Sequence, residues 1–118
     1  HTIHDLFQAA EIGAADMLNI KLMKAGGTYP SLALTSLAEA CNMPCQVGSM
    51  VESAIGTMAG AHLAMSRSII ESNEMVGPLL FRRDVANVRY NGDILEISDA
   101  PGLGIEVDES YIQEITHF

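Results

Sequence analysis

The sequence predicts an α/β fold in which short parallel strands alternate with helices, and three observations carry that prediction. Segments with apolar residues at helical spacing are separated by apolar runs too brief to be helices. The links between them are short and marked by Gly and Pro, as at Gly26-Gly27, Pro44 and Gly77-Pro78. Strands joined through helices in this way lie parallel, with right-handed crossovers.

The elements follow in order. His1 to Ile12 carries Ile3, Leu6, Phe7 and Ala10 at helical spacing, with Asp5 early and Gly13 just beyond, and reads as an amphipathic helix. Leu18 to Gly27 then reads as an apolar strand with a lysine in its middle and a double-glycine turn after it. Strand alternation puts Leu18, Ile20 and Leu22 on one face and Asn19, Lys21 and Met23 on the other. Thr28 can cap a second helix, with Pro30 in its first turn. That helix runs to about Asn42 with Leu34, Leu37, Ala38 and Cys41 as its buried stripe, and Pro44 bars its extension. Cys45 to Gly48 is a second strand, Ser49 to Ser53 a polar turn, and Ile55, Met58, Ala59 and His62 the stripe of a third helix. Ser68 to Asn73 breaks that helix, and Glu74-Met75-Val76 reads as a third short strand ending at Gly77-Pro78. Val88 to Ile97 has a hairpin pattern around Asn91-Gly92, Asp99 to Gly104 is a loop, and Ile105 to Val107 is extended. Asp108 caps a last helix from about Glu109 to Ile115, whose apolar side is Tyr111, Ile112 and Ile115.

Composition narrows the partners. With 118 residues the chain is one domain at most, and 48% hydrophobic residues without tryptophan suit an aliphatic core. A net charge of −9 repels phosphate backbones and anionic lipid, so neither nucleic acid nor a membrane surface is expected. No apolar run reaches the roughly 18 residues that span a bilayer, and no leader follows His1, so a cytoplasmic protein is expected. Cys41 and Cys45 are not in the CxxC spacing of redox sites and read as buried structural residues. His62 reads as a hydrogen-bonded core histidine rather than a ligand.

In parallel α/β folds, ligands gather at the carboxyl ends of the strands. Lys21, Ser49-Met50 and Glu74 all fall at or near such ends, each from a different strand. Two readings of Lys21 stand at this point. It snorkels to solvent at the strand's end, or it is held partly buried and serves as an acid/base group. Three parallel strands cannot close a barrel, and as an open sheet they leave two edges of the kind proteins avoid. The alternation also calls for a strand before the first helix, so the chain is expected to be part of a longer βα architecture.

Five motifs then carry a family likeness. Asn-Ile-Lys-Leu-Met-Lys-Ala-Gly-Gly (19 to 27), Gly-Ser-Met-Val-Glu-Ser (48 to 53), Ala-His-Leu-Ala (61 to 64), Gly-Pro-Leu-Leu (77 to 80) and Pro-Gly-Leu-Gly-Ile (101 to 105) resemble the C-terminal part of the enolase superfamily, muconate-lactonizing-enzyme subgroup. Within it, the Tyr-Pro after the double glycine, the Cys-Gln-Val-Gly-Ser-Met-Val-Glu-Ser run and the closing Gly-Ile-Glu-Val-Asp most resemble N-succinylamino-acid racemases and dipeptide epimerases.

The resemblance implies the C-terminal part of a modified (β/α)7β TIM barrel. Residues 1–80 would supply the last βα units, and residues 81–118 a tail that returns to an N-terminal α+β capping domain. It implies Lys21 as the catalytic acid/base of the sixth strand, opposite a Lys-x-Lys pair on the second strand, with Lys24 excluded. Ser49, Met50 and Glu74 are implied as substrate contacts, with Asn19 supporting Lys21. Glu52 is open between touching substrate and bonding the turn after Gly48, the latter favoured. It implies Mg2+ held by three carboxylates upstream of His1, a small carboxylate substrate, a homo-oligomer, and proton transfer at an α-carbon through an enediolate. A muconate-type cycloisomerase is the alternative. Where dipeptide epimerases carry Asp-x-Asp on the last strand, this sequence has Glu74 and Val76, which favours an N-acylated amino acid or another carboxylate substrate over a free-amine dipeptide.

Overall fold

In the computed structural model, which describes residues 2–117, Thr2 opens the first helix through a reciprocal cap. The Asp5 backbone N–H donates to Thr2 Oγ1 at 3.2 Å, and the Thr2 N–H donates to Asp5 Oδ2 at 2.9 Å. Helix α1 covers Ile3–Glu11 and buries Leu6; His1, which the sequence reading placed in it, lies outside the described residues. Strand β1 (Leu18–Ile20) is followed at once by a single helical turn, α2 (Leu22–Ala25), and then by α3 (Thr28–Ala40). Strand β2 (Cys45–Val47), α4 (Ala54–Ser66) and β3 (Ile70–Asn73) complete the alternation.

The three strands form a parallel sheet in the order β1-β2-β3. Its register pairs Asn19 with Gln46 and Gln46 with Ser72, with one irregularity that leaves Glu71 extra. Helix α3 packs on β1, α4 on β2 and β3, and α1 on α3. The helix-covered face supplies the core: Ile20, Cys45 and Val47 meet Leu6, Leu34, Ala38, Met43, Ala61, Leu63 and Met75. Burial pushes the Cys45 thiol up to about 11, Glu39 adding to the shift, so the residue is an inert small hydrophobe. The other face, marked by Asn19, Gln46 and Ser72, is polar and open, with Asn19 and Ser72 exposed and Gln46 half-buried. That face is the one a closed barrel turns inward.

Several expectations are corrected here. The first strand stops at Ile20, so Lys21 stands at its carboxyl end and caps α2 instead of sitting mid-strand. Leu22 and Met23 belong to that helical turn, which ends on Gly26 at φ +94°. Gly27, not Thr28, is the residue before α3. Helix α3 closes at Ala40, so Cys41 falls off its stripe and is exposed, while Ser31 and Thr35 are buried beside Leu34 and Ala38. Both hydroxyls are satisfied by backbone carbonyls, Ser31 by Gly27 at 2.7 Å and Thr35 by Leu32 at 2.8 Å. The buried side of α4 is Ala54, Thr57, Met58, Gly60, Ala61 and Leu63, a broader face than the stripe through Ile55, Ala59 and His62. The third strand is Ile70–Asn73, four residues earlier than expected, and Glu74 follows it directly.

The remainder folds back on this layer. A 3-10 turn (Gly77–Leu80) leads to the hairpin β4 (Arg89–Asn91) and β5 (Ile94–Glu96), with Gly92 at φ +65° in its two-residue loop. Val107 bridges Ala86, and the Asp108 N–H donates to the Val85 carbonyl at 2.7 Å. Asp108 then caps α5 (Glu109–Thr116) by accepting from the Tyr111 N–H at 3.0 Å. Its carboxyl is lowered to about 2 by the Ser110 hydroxyl, the Tyr111 N–H and Arg83. Arg83 also reaches Glu114 at 3.2 Å and lies 4.0 Å over the Tyr111 ring.

Candidate active site

The site is built where the three strands end. Lys21 closes β1 and is half-buried, with its Nζ 3.7 Å from the sulfur of Met50. Met50 lies in the turn after β2, and Glu74 closes β3 with its N–H donating to the Val47 carbonyl at 2.9 Å. Glu74 in turn reaches back to the same turn, its Oε2 3.4 Å from the Ser49 N–H. The turn of Ser49 and Met50 therefore stands between the Lys21 ammonium and the Glu74 carboxylate.

Backbone pairing fixes these positions. The Gly48 N–H donates to the Ile20 carbonyl at 2.8 Å, which sets the end of β2 beside Lys21. Gly48 is required there. A side chain at this position would put its Cβ 2.3 Å from Asn19 Oδ1, so the Asn19 amide packs on the glycine. Asn19 precedes Lys21 on the strand and is exposed on the polar side of the sheet.

Glu52 holds the turn. Its carboxylate accepts from the Ser49 hydroxyl at 2.8 Å and from the Met50 N–H at 2.9 Å through Oε1 and 2.8 Å through Oε2. The Ser49 oxygen accepts from the Val51 N–H at 2.7 Å. This bonding accompanies an uncommon backbone: Val51, a β-branched residue, sits at φ +63°. Ser49 is buried, whereas Met50 and Val51 are exposed.

The following helix starts at Ala54, and its N-cap residue, Ser53, makes no side-chain cap. Asp84 takes that role from the tail, accepting from the Ala54 N–H at 2.8 Å. Tyr90 donates its hydroxyl to the Met75 carbonyl, next to Glu74, and burial raises its pKa, with Asp84 adding to the effect. His62 places Nε2 3.3 Å from the Leu103 carbonyl, joining α4 to the tail and away from the strand ends. Sequence reasoning singled out Lys21, Ser49, Met50, Glu52 and Glu74 but did not find the Val51 conformation, the Asp84 cap or the Tyr90 anchor. An Asp thirty residues from the helix it serves leaves no local signal.

What the arrangement can do chemically follows from its parts. An ammonium stands opposite a carboxylate across a narrow turn, and a small molecule lying on that turn meets a proton donor or acceptor on one side and an anion on the other. Among the described residues, no group of three or more His, Cys, Asp or Glu side chains is arranged to hold a metal ion. Lys21, Ser49, Met50 and Glu74 offer one carboxylate between them and do not fit a resident divalent cation. Among the same residues no helix is long and apolar enough to cross a membrane.

Comparison with known proteins agrees with this architecture. The family model described as "Enolase C-terminal domain-like" matches residues 1–111. The N-succinyl-L-Arg/Lys racemase of Bacillus cereus is 46% identical over 114 residues, which are 97% of this chain and 31% of that protein. Its crystal structure superimposes with a TM-score of 0.95, covering 99% of this chain and 32% of the racemase chain. The L-Ala-D/L-Glu epimerase of Bacillus subtilis is 40% identical over 106 residues, 88% of this chain and 29% of the epimerase. The muconate lactonizing enzyme of Pseudomonas putida superimposes with a TM-score of 0.89 at 33% identity, covering 96% of this chain and 32% of the enzyme. The chain thus spans about a third of the length of the relatives it matches. On the strand order, the site at the strand ends and these matches together, the chain belongs to the enolase superfamily, to the C-terminal domain of its muconate-lactonizing-enzyme subgroup.

Proposed function

We propose that this chain supplies one half of the active site of an isomerase that moves a proton at the α-carbon of an N-acylamino acid or dipeptide. The observation that carries the reading is the Lys21 ammonium at the end of β1, 3.7 Å from Met50 on the turn that Glu74 touches from the far side. In this reading Lys21 is the acid/base group for one face of the substrate carbon, and Ser49, Met50 and Glu74 line its bed. The group for the opposite face lies outside this chain, since racemisation needs one base to remove the proton and a second to return one from the far side. Asn19 keeps the strand end in register through its packing on Gly48.

The substrate assignment rests on the last strand's end. Glu74 is followed two residues later by Val76, so a single carboxylate stands where a pair would bind a free ammonium group. That supports an acylated amine over a free dipeptide. It accords with a 46% identical relative that acts on N-succinyl-L-Arg/Lys, against 40% for the dipeptide epimerase. Mg2+ belongs to the proposal only as an ion held by residues outside this chain. The proposal also assigns residues 1–80 to the last βα units of a barrel and residues 81–118 to a segment returning to a capping domain. The complete protein is proposed to be cytoplasmic and homo-oligomeric.

The test is proton exchange in deuterated water. The complete protein is expected to wash deuterium into the α-position of N-succinylamino acids while interconverting their enantiomers. No exchange with any N-acylamino acid or dipeptide ends the racemase reading. Lactone formation from muconate without such exchange replaces it with cycloisomerisation, which the likeness to muconate lactonizing enzyme supports.

A further inference from the structure

We infer that Glu52 is a positioning residue for proton transfer, acting on Lys21 through the Ser49–Val51 turn; the inference rests on the racemase reading above. The local sequence Ser49-x-x-Glu52 has the spacing of a helix-capping box. It is not one, because α4 begins two residues after Glu52 and takes its cap from Asp84. The Glu52 carboxylate is turned the other way, into the loop, where its two oxygens receive the Ser49 hydroxyl and the Met50 N–H.

The surroundings fix that carboxylate from behind. A Cβ on Gly77 would lie 2.2 Å from the Glu52 carbonyl oxygen, so the chain after β3 passes directly over the Glu52 backbone. A Cβ on Gly56 would lie 2.7 Å from the Glu52 Cβ, so the first turn of α4 passes directly beneath its side chain. Thr57 adds a hydroxyl bond to the Glu52 carbonyl at 3.3 Å. Two glycines and a helix turn thus set the position of Glu52, and Glu52 sets the position of the turn.

The turn has reason to move without it. Val51 at φ +63° is in a conformation that a β-branched residue avoids. The bonds from Met50 and Ser49 to a charged acceptor are the interactions that offset it. Once they are lost, the turn relaxes and carries Met50 away from the Lys21 ammonium. The Ser49 N–H that faces Glu74 belongs to the same turn, so substrate binding shifts as well. Measured at saturating substrate, weaker binding leaves the exchange rate of either enantiomer unchanged, whereas a displaced Lys21 slows the enantiomer whose α-proton faces it. That asymmetry separates a positioning role from a purely structural one.

The experiment uses the complete protein as wild type, Glu52→Ala, Glu52→Gln and Lys21→Ala, with each enantiomer of an N-succinylamino acid in deuterated water. Lys21→Ala identifies the enantiomer that depends on Lys21. Glu52→Ala is expected to slow α-proton exchange of that enantiomer about 10- to 100-fold, and of the other by clearly less. Glu52→Gln, which keeps one carbonyl acceptor for the Met50 N–H, is expected to show the same asymmetry to a smaller degree, and it carries the test if the alanine variant does not fold. Equal slowing of both enantiomers, or unchanged rates, overturns the inference and leaves the racemase reading standing. A wild-type protein that exchanges neither enantiomer overturns both.

Discussion

The layer from α1 to β3 and the tail after residue 80 are held by different physics. The first is fixed by apolar burial: Ile20, Val47, Met58 and Leu63 are each 1% exposed, and the core cluster of buried residues comes from residues before the tail. Among the described residues the tail contributes one buried hydrophobe, Ala86, with Leu95 and Ile97 partly buried against the core. It is fastened to the layer by directional polar contacts, namely Asp84 on α4, Tyr90 on Met75 and Leu103 on His62, while the Arg83 group around α5 ties the tail to itself. The tail therefore adds little to the buried core and docks on the layer through polar contacts. Two of those contacts reach the site's surroundings, at Ala54 two residues from Glu52 and at Met75 beside Glu74.

Mutations should divide along this line. Leu63→Ala, which opens a cavity between α4 and the sheet, is expected to cost about 2–5 kcal/mol in the denaturant unfolding of the complete protein. A loss under 1 kcal/mol would show that the layer is not held by its core. Asp84→Ala removes a charged acceptor from a helix N-terminus and is expected to cost about 1–2 kcal/mol. Hydrogen exchange should then rise at Ala54 and through the tail, with the core strands retaining their protection.

The smallest effect is acid-dependent. Asp108 titrates at about 2 when folded, against an ordinary 3.8, so its contribution is present above 3.8 and is lost as pH falls towards 2. Its exposure makes that contribution modest. The Tyr111 amide resonance is expected to titrate near 2, and a midpoint near 4 would show that the cap on α5 does not form.

Much of the layer was legible because its apolar periods and its Gly and Pro punctuation agree. The departures have local causes. Ile70–Asn73 is an edge strand of this sheet with Glu71, Ser72 and Asn73 all exposed and a register irregularity at Glu71, so it lacks the apolar alternation of a strand and reads as a break. Helix α4 is apolar around most of its circumference and carries Gly56 and Gly60 at close contacts, so spacing could not choose its buried face. Cys41 continues the apolar spacing but is exposed, because the helix ends one residue before it. At the site, Lys21, Ser49, Met50 and Glu74 were visible as polar or soft residues at strand ends. The Val51 conformation and the two glycines packed on Glu52 were not, since both depend on chain segments that meet only in three dimensions.

In the function proposed for the complete protein, Lys21 moves the proton. In the complete protein, Lys21→Ala is expected to lower racemisation of the true substrate by about 10²- to 10⁴-fold or more, with the unfolding midpoint nearly unchanged because Lys21 stands outside the core cluster. A folded Lys21→Ala protein that racemises its substrate at a near-normal rate would contradict the account.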